Sequence, residues 1–295
     1  MTMNDECLRI GIPSKGRLSD VSTALLNQAG INFRRQSRSL FAKVSGLPVE
    51  MIFLRTDDIP TLCSVGAIDM GITGSDLVEE SGGEVQTRMK FGVGRCRLAV
   101  CVAEDSPVQS PAELAGHTIA TSFPMVTSNY LAGHVGADAG GPAKSAKLVS
   151  LTGSVEVMIN LGVADAIVDL VETGSTLAAN RLRILDTIGH YETVLIQNDR
   201  GRHTEIGDRI VRRLEGVVIA RDYSLLEYNI PRSVREQAEA ITPGFKSPTI
   251  NSLEDPNWCS VRVMVRQGDI VDAMERLEPL GASAIIETPI TNCRL

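Results

Sequence analysis

The stretch Glu156–Leu177, EVMINLGVADAIVDLVETGSTL, decides how this chain is read. Glu156 to Leu161 carry apolar residues at helical spacing and Gly162 follows, so the pattern predicts a short helix and a stop. Ala166 to Val171 then form an apolar, β-branched run interrupted once, by Asp169. Such a run suits a buried parallel strand, where an ionised carboxylate is costly unless something binds it. Glu172-Thr173-Gly174-Ser175-Thr176 comes next and opens a second helix at Leu177. Glycine lets a phosphate approach the backbone, the first N–H groups of the helix point at it, and the hydroxyls add donors. Thr-Gly-Ser-Thr alone is a common strand-to-helix turn. Asp169 in the strand before it favours a site, with the carboxylate taking sugar hydroxyls or a magnesium ion and the loop taking a 5′-phosphate.

Outward from this stretch, strands and helices alternate. Apolar runs predict strands at Leu8–Pro13, Val49–Leu54, Ala67–Thr73, Leu98–Ala103, Thr118–Thr121 and Lys147–Leu151. Helices are expected after Arg17, from Asp57 to Gly66 and around Val126–Ala132, with residues 133–143 as a Gly- and Ala-rich surface loop. Tyr191–Ile196 reads as a further strand, and Thr204–Ile219 as an amphipathic helix with Ile206, Ile210, Leu214 and Val217 on one face. The alternation predicts mostly parallel, doubly wound sheets in two lobes with a cleft between them. The last 70 or so residues read βαββαβ, with strands at Ser224–Ile230, Thr249–Leu253, Val261–Val265 and Ala284–Glu287. That is the ferredoxin-like pattern, and small domains of this shape often bind amino acids in regulated enzymes.

Composition sets outer limits. The 295 residues have room for two or three domains, and 43% hydrophobic with 22% charged residues suits a globular enzyme. A net charge of −7 argues against a nucleic-acid surface. Cys7, Cys63, Cys96, Cys101, Cys259 and Cys293 form no CxxC pair and no metal-ligand spacing with the four histidines. Scattered thiols, no signal peptide at the N-terminus and no apolar run of about 20 residues lead us to expect a cytoplasmic protein without a membrane partner.

The run Glu156, Gly162, Ala164, Ile167, Asp169, Thr173, Gly174, Thr176, Leu177 resembles the signature of the ATP phosphoribosyltransferase family, the first enzymes of histidine biosynthesis. The resemblance extends through Lys15-Gly16-Arg17-Leu18, Asp58-Ile59-Pro60, Gly71-Ile72-Thr73-Gly74 and Gly94–Leu98 to Thr242-Pro243-Gly244 and Ser247-Pro248-Thr249. Length and the C-terminal motifs resemble the long, histidine-regulated form. The resemblance implies a bilobal, periplasmic-binding-protein-like catalytic region and a ferredoxin-like regulatory domain. Lobe I would span 1–100 and 193–221, lobe II 101–192, and the regulatory domain 222–295.

It also implies a pentosyltransferase that joins N1 of the adenine of ATP to C1 of 5-phosphoribosyl 1-pyrophosphate and expels pyrophosphate. The transition state is oxocarbenium-like, so positioning and charge stabilisation matter more than a strong base. Asp169 and the loop Glu172, Thr173, Gly174, Ser175 and Thr176 are the expected phosphoribosyl pyrophosphate site, with Asp169 as the magnesium ligand. Arg17, Arg38 and Asp169 are the expected catalytic residues. Lys15, Gly16, Arg17, Gly74, Arg95, Thr121 and Ser122 are expected at the nucleotide, with Arg55, Arg97, Asp69 and Asp76 as weaker candidates. Histidine, the feedback inhibitor beside AMP, would meet Asn229, Phe245, Ser247, Thr249, Met264 and Ala284. Asn229 departs from the acidic residue of some members, since an amide cannot pair the charge of the ligand's amine. The family further implies a homo-oligomer, dimer to hexamer.

Two rivals are a bilobal solute sensor without chemistry and a salvage phosphoribosyltransferase. Against the sensor stand the complete phosphoribosyl signature, the missing signal peptide and the missing helix-turn-helix. The salvage fold, one sheet with a hood, has no place for the KGRL, DIP and C-terminal motifs.

Overall fold

The computed structural model describes residues 7–36, 39–134 and 145–294. The chain opens with β1 (Leu8–Pro13), α1 (Arg17–Gln28), β2 (Phe41–Lys43), β3 (Val49–Leu54), α2 (Asp58–Ser64), β4 (Met70–Gly74), α3 (Ser75–Ser81) and β5 (Gln86–Lys90). It continues with β6 (Cys96–Ala103), β7 (Thr118–Thr121), α4 (Pro124–His134), β8 (Lys147–Ser150), β9 (Ala166–Val171), α5 (Ser175–Ala179) and β10 (Leu182–Tyr191). Then follow β11 (Thr193–Gln197), α6 (Thr204–Arg221), β12 (Tyr223–Pro231), α7 (Arg235–Ile241), β13 (Thr249–Ser252), β14 (Trp258–Arg266), α8 (Ile270–Leu277) and β15 (Ser283–Pro289).

The first sheet runs β2-β3-β1-β4-β11-β5. Its centre, β3-β1-β4, is parallel, and β2, β11 and β5 add antiparallel flanks. All six residues of β1 are buried, as a central strand covered on both faces requires. The second sheet runs β10-β6-β9-β7-β8, parallel through β9-β7-β8 and antiparallel at β6 and β10. Period-two alternation deals the side chains of β6 and β9 to two cores. Leu98, Val100, Val102, Ala166 and Val168 face one core, and Ala99, Cys101, Ile167 and Val171 face the other.

These are the two expected lobes, and the chain crosses between them twice, side by side. At the crossings Thr193 N–H donates to Val93 O at 3.0 Å, Phe91 N–H donates to Thr193 O at 3.0 Å, and Gly92 N–H donates to the Glu192 carboxylate at 2.9 Å. Beside them Glu80 at the end of α3 accepts the N–H groups of Met125 and Val126, both at 2.9 Å, on the first turn of α4. A carboxylate of lobe I thus caps a helix of lobe II.

The third sheet, β13-β14-β12-β15, is fully antiparallel and gives the ferredoxin-like order. Leu226, Tyr228, Ile230, Cys259, Val261 and Val263 point into its core with Ala273 and Leu277 of α8. The Tyr228 hydroxyl shares a hydrogen bond of 2.8 Å with Thr242 Oγ1.

Two readings need correction, and at one place the contacts divide the chain differently. Residues 156–161 are not a regular helix: a 3₁₀ turn at Val155–Val157 passes into turns that reach Gly162. Ser154 before them is left-handed at φ 52°, so the chain does not enter the segment in helical conformation. Second, β2, β5 and β10 were not foreseen, because their mixed polar sequences carry no apolar run. By contacts, residues 7–22 and 33–207 form one unit, and 23–32 with 208–294 form another. Residues 208–221, expected with lobe I, therefore group with the C-terminal unit.

Candidate active site

Asp169 falls on the face of β9 that also carries Ile167 and Val171, opposite Ala99 of β6. Its Oδ1 accepts the Leu170 N–H at 2.8 Å. Burial pushes its pKa upward; the Leu170 hydrogen bond opposes this, and the Glu156 carboxylate adds to the rise. Past β9 the chain turns through Thr173 and Gly174. Gly174 takes φ +82° as the N-cap of α5, a left-handed conformation that favours glycine. Thr173 Oγ1 and Ser175 Oγ lie 3.1 Å apart. Leu177 is buried and anchors α5 to the same core as Val155 and Ala164.

These pieces enclose a cavity of about 400 Å³ lined by Glu156, Asp169 and the loop Glu172–Leu177. All six expected phosphoribosyl residues, Asp169, Glu172, Thr173, Gly174, Ser175 and Thr176, share it. Glu156 is the member that sequence reasoning gave no role.

A second cavity, of about 220 Å³, opens between the lobes and is lined by Arg17, Gly74, Asp76, Gly94, Cys96 and Glu172, among others. Arg17 Nη1 stands 2.5 Å from Glu172 Oε2. A Cβ at Gly74 would sit 2.1 Å from Asp76 Oδ1, so a side chain there would displace the Asp76 carboxylate. Asp76 is buried at the start of α3; desolvation raises its pKa, its own N–H and that of Leu77 lower it, and Asp57 raises it further. The Cys96 thiol is pushed up to about 11 by burial and by the Asp76 and Glu172 carboxylates, so it is no nucleophile at neutral pH.

The other expected residues divide. Lys15, Gly16 and Arg95 are exposed and Ser122 is half-buried; none lines either cavity. Thr121 is fully buried, its Oγ1 accepting the Phe123 N–H at 2.9 Å and the Thr127 hydroxyl at 3.3 Å. Its side chain is spent inside lobe II and offers a ligand nothing. Asp69 is likewise spent, accepting the Arg9 N–H at 2.8 Å. Arg55 is exposed and Arg97 half-buried, again outside both cavities. Arg38 and residues 135–143 of the expected loop lie outside the described residues.

In the C-terminal unit a cavity of about 490 Å³ is lined by Phe245 and Met264 together with Tyr223, Thr242, Arg266 and Asp269, among others. Asn229, Ser247, Thr249 and Ala284 do not line it. Asn229 and Thr249 stand on the sheet face turned away from the core, in register with Ser260 and Arg262 of β14. Ala284, on β15, is exposed and left-handed at φ 48°.

Among the described residues no three His, Cys, Asp or Glu side chains cluster as a metal site. The donors that do converge, Asp169 and Glu156, are hard carboxylate oxygens beside a phosphate loop. That set fits magnesium, which commonly takes one or two carboxylates and completes its shell with substrate oxygens and water.

Comparison with known proteins agrees with this geometry. The family model "ATP phosphoribosyltransferase" matches residues 55–216, and "HisG, C-terminal domain" matches 220–292. A protein of Rhodopirellula baltica named ATP phosphoribosyltransferase is 68% identical over 293 residues, 99% of this chain and 95% of that one. One of the same name from Mycobacterium tuberculosis is 38% identical over 291 residues, 97% of this chain and 99% of its own. Among solved structures, the ATP phosphoribosyl transferase (HisG:HisZ) complex from Thermotoga maritima superposes with a TM-score of 0.61 at 27% identity. The overlap covers 72% of this chain and 98% of that chain.

Proposed function

This chain belongs to the ATP phosphoribosyltransferase family of histidine biosynthesis, in its long form, and from that premise we propose that it joins adenine N1 of ATP to C1 of 5-phosphoribosyl 1-pyrophosphate, releasing pyrophosphate, under feedback by histidine. The observation that carries this reading is the shared cavity: Asp169, Glu156 and the Thr173–Thr176 loop face one space, and Glu172 borders both it and the interlobe cavity of Arg17.

The roles follow from the chemistry of an anomeric displacement. The loop holds the 5′-phosphate through its backbone N–H groups and the hydroxyls of Thr173, Ser175 and Thr176. Asp169 orients the ribose by accepting from its hydroxyls, and its negative charge stabilises the oxocarbenium character of C1. Arg17 pairs with the departing diphosphate, with Arg38 as the second cation, and Lys15, Gly16, Gly74, Arg95 and Ser122 serve the nucleotide side. Asp169 is the residue that would hold magnesium, which when bound would neutralise charge on the leaving group. Adenine N1 already bears a lone pair, so no residue need abstract a proton before attack. The lobes bring the two substrates into line, which is where most of the rate is to be found.

In the same reading residues 101–192 form the phosphoribosyl lobe, 1–100 with 193–221 the nucleotide lobe, and 222–295 the histidine-binding domain. Phe245 and Met264 supply the apolar wall of that domain's pocket; Asn229, Ser247, Thr249 and Ala284 lie outside it, and their assignment to histidine rests on the family resemblance. AMP competes at the nucleotide site, the working form is a homo-oligomer from dimer to hexamer, and the enzyme works in the cytoplasm. In support of the last, the described cysteines are all free, and no described helix is long and apolar enough to cross a membrane.

The test is a direct assay with ATP, phosphoribosyl pyrophosphate, magnesium and a pyrophosphatase, following the ultraviolet absorbance of the N1-substituted adenine. Product that histidine suppresses and that Asp169→Asn fails to make is the expected result. Product without histidine inhibition removes the regulatory reading, and ATP binding without product favours a sensor.

A further inference from the structure

Arg17 and Glu172 lie 155 positions apart and meet across the cleft. Glu172 lines both the phosphate-loop cavity and the interlobe cavity, and Arg17 lines the second. Glu172 is a wall shared by the two cavities, and its ion pair with Arg17 reaches into the interlobe one. A guanidinium fork donates to carboxylate and phosphate oxygens with the same geometry, so the Glu172 carboxylate occupies a place that a substrate anion can take.

We propose that the Arg17–Glu172 pair is a gate between the two cavities: in the unliganded chain Glu172 holds Arg17, and it yields Arg17 to the diphosphate of an incoming substrate. This rests on the reading of Arg17 as a diphosphate-binding residue. Exposure decides between a gate and a brace. The Arg17 side chain is 72% exposed and that of Glu172 49%. Water and salt screen such a pair, so it holds the lobes together poorly and gives way to a more highly charged anion. Glu172 also stands past the end of β9, on the turn before Gly174, where it can swing without breaking the sheet. The occupied fraction of Arg17 then lowers the apparent affinity for diphosphate by the same fraction.

The experiment is calorimetric titration of inorganic pyrophosphate, with magnesium, into the full chain in four forms: unaltered, Glu172→Gln, Arg17→Gln and the double variant. Glu172→Gln is expected to bind about two- to five-fold tighter than the unaltered chain, the range an exposed ion pair allows, and to bring no gain once Arg17 is gone. Equal gains in both backgrounds would reduce Glu172 to a diffuse charge and overturn the gate. Weaker binding by Glu172→Gln would make Glu172 a ligand contact and overturn it as well. If no form binds pyrophosphate while the unaltered chain turns over ATP and phosphoribosyl pyrophosphate, the gate fails and the proposed activity stands. Pyrophosphate binding in the expected pattern without turnover supports the gate and sinks the activity.

Discussion

Asp169 has to serve two ends. Burial on β9 keeps its proton to a higher pH than an exposed aspartate would, and Glu156 adds to that. In the unfolded chain the carboxyl ionises near pH 4. Between that point and its raised folded value the native state binds more protons, so stability falls as pH rises through the window. Asp169→Asn should therefore raise the melting temperature of the ligand-free chain at neutral pH by a few degrees, at about 2–4 °C per kcal/mol for a chain of this size. It should flatten the loss of stability above pH 4 and abolish activity. Calorimetric scans across pH check this, and a variant less stable at pH 7 would refute it. At this scale the sequence was readable where residue type and setting coincide, as at Asp169 in an apolar strand before Thr173-Gly174. It was not readable for Thr121, whose burial is set by Phe123 and Thr127 packing around it. Nor was it for Glu156, because one glutamate looks like any surface glutamate until the fold brings it to face Asp169.

Among the elements, α4 depends on a residue outside it. Pro124 supplies no N–H at the first helical position, and Glu80 accepts the next two. Glu80→Ala removes both acceptors at a helix start, a loss on the order of 0.5–2 kcal/mol. Scanning calorimetry should show a melting temperature lowered by about 2–4 °C per kcal/mol lost; an unchanged value would mean that water replaces the carboxylate. Element boundaries were legible where burial is two-sided. Leu8–Pro13, Val49–Leu54, Thr118–Thr121 and Ala166–Val171 are strands with the bounds their apolar runs predict. β10 escaped because seven of its ten positions are half-buried and its pairing with β6 slips twice, at Ile184/Asp186 and Thr187/Gly189. A strand at a sheet edge with an interrupted register carries neither a long apolar run nor a clean alternation.

At the scale of the whole molecule, the C-terminal unit has its own core, and the single tryptophan, Trp258, lies half-buried in that unit. Fluorescence of Trp258 reports the unfolding of that unit, whereas far-ultraviolet dichroism reports the whole chain. In a urea titration the two curves should not coincide, because separate cores need not melt together. Coincident curves would show one cooperative block.

The second unit is built from both ends of the chain. Arg213 donates to Gly30 O at 3.2 Å and Asn292 to Gln28 O at 3.4 Å. Residues 23–32 leave the ribosome early, but their partners begin only at 208. At about 5–20 residues per second, Leu25, Leu26 and Ile31, all buried in the finished molecule, wait roughly 10–35 s for a partner. During each round of translation that short apolar segment precedes by more than half the chain the stretch it clusters with, so the second unit closes only near the end of synthesis.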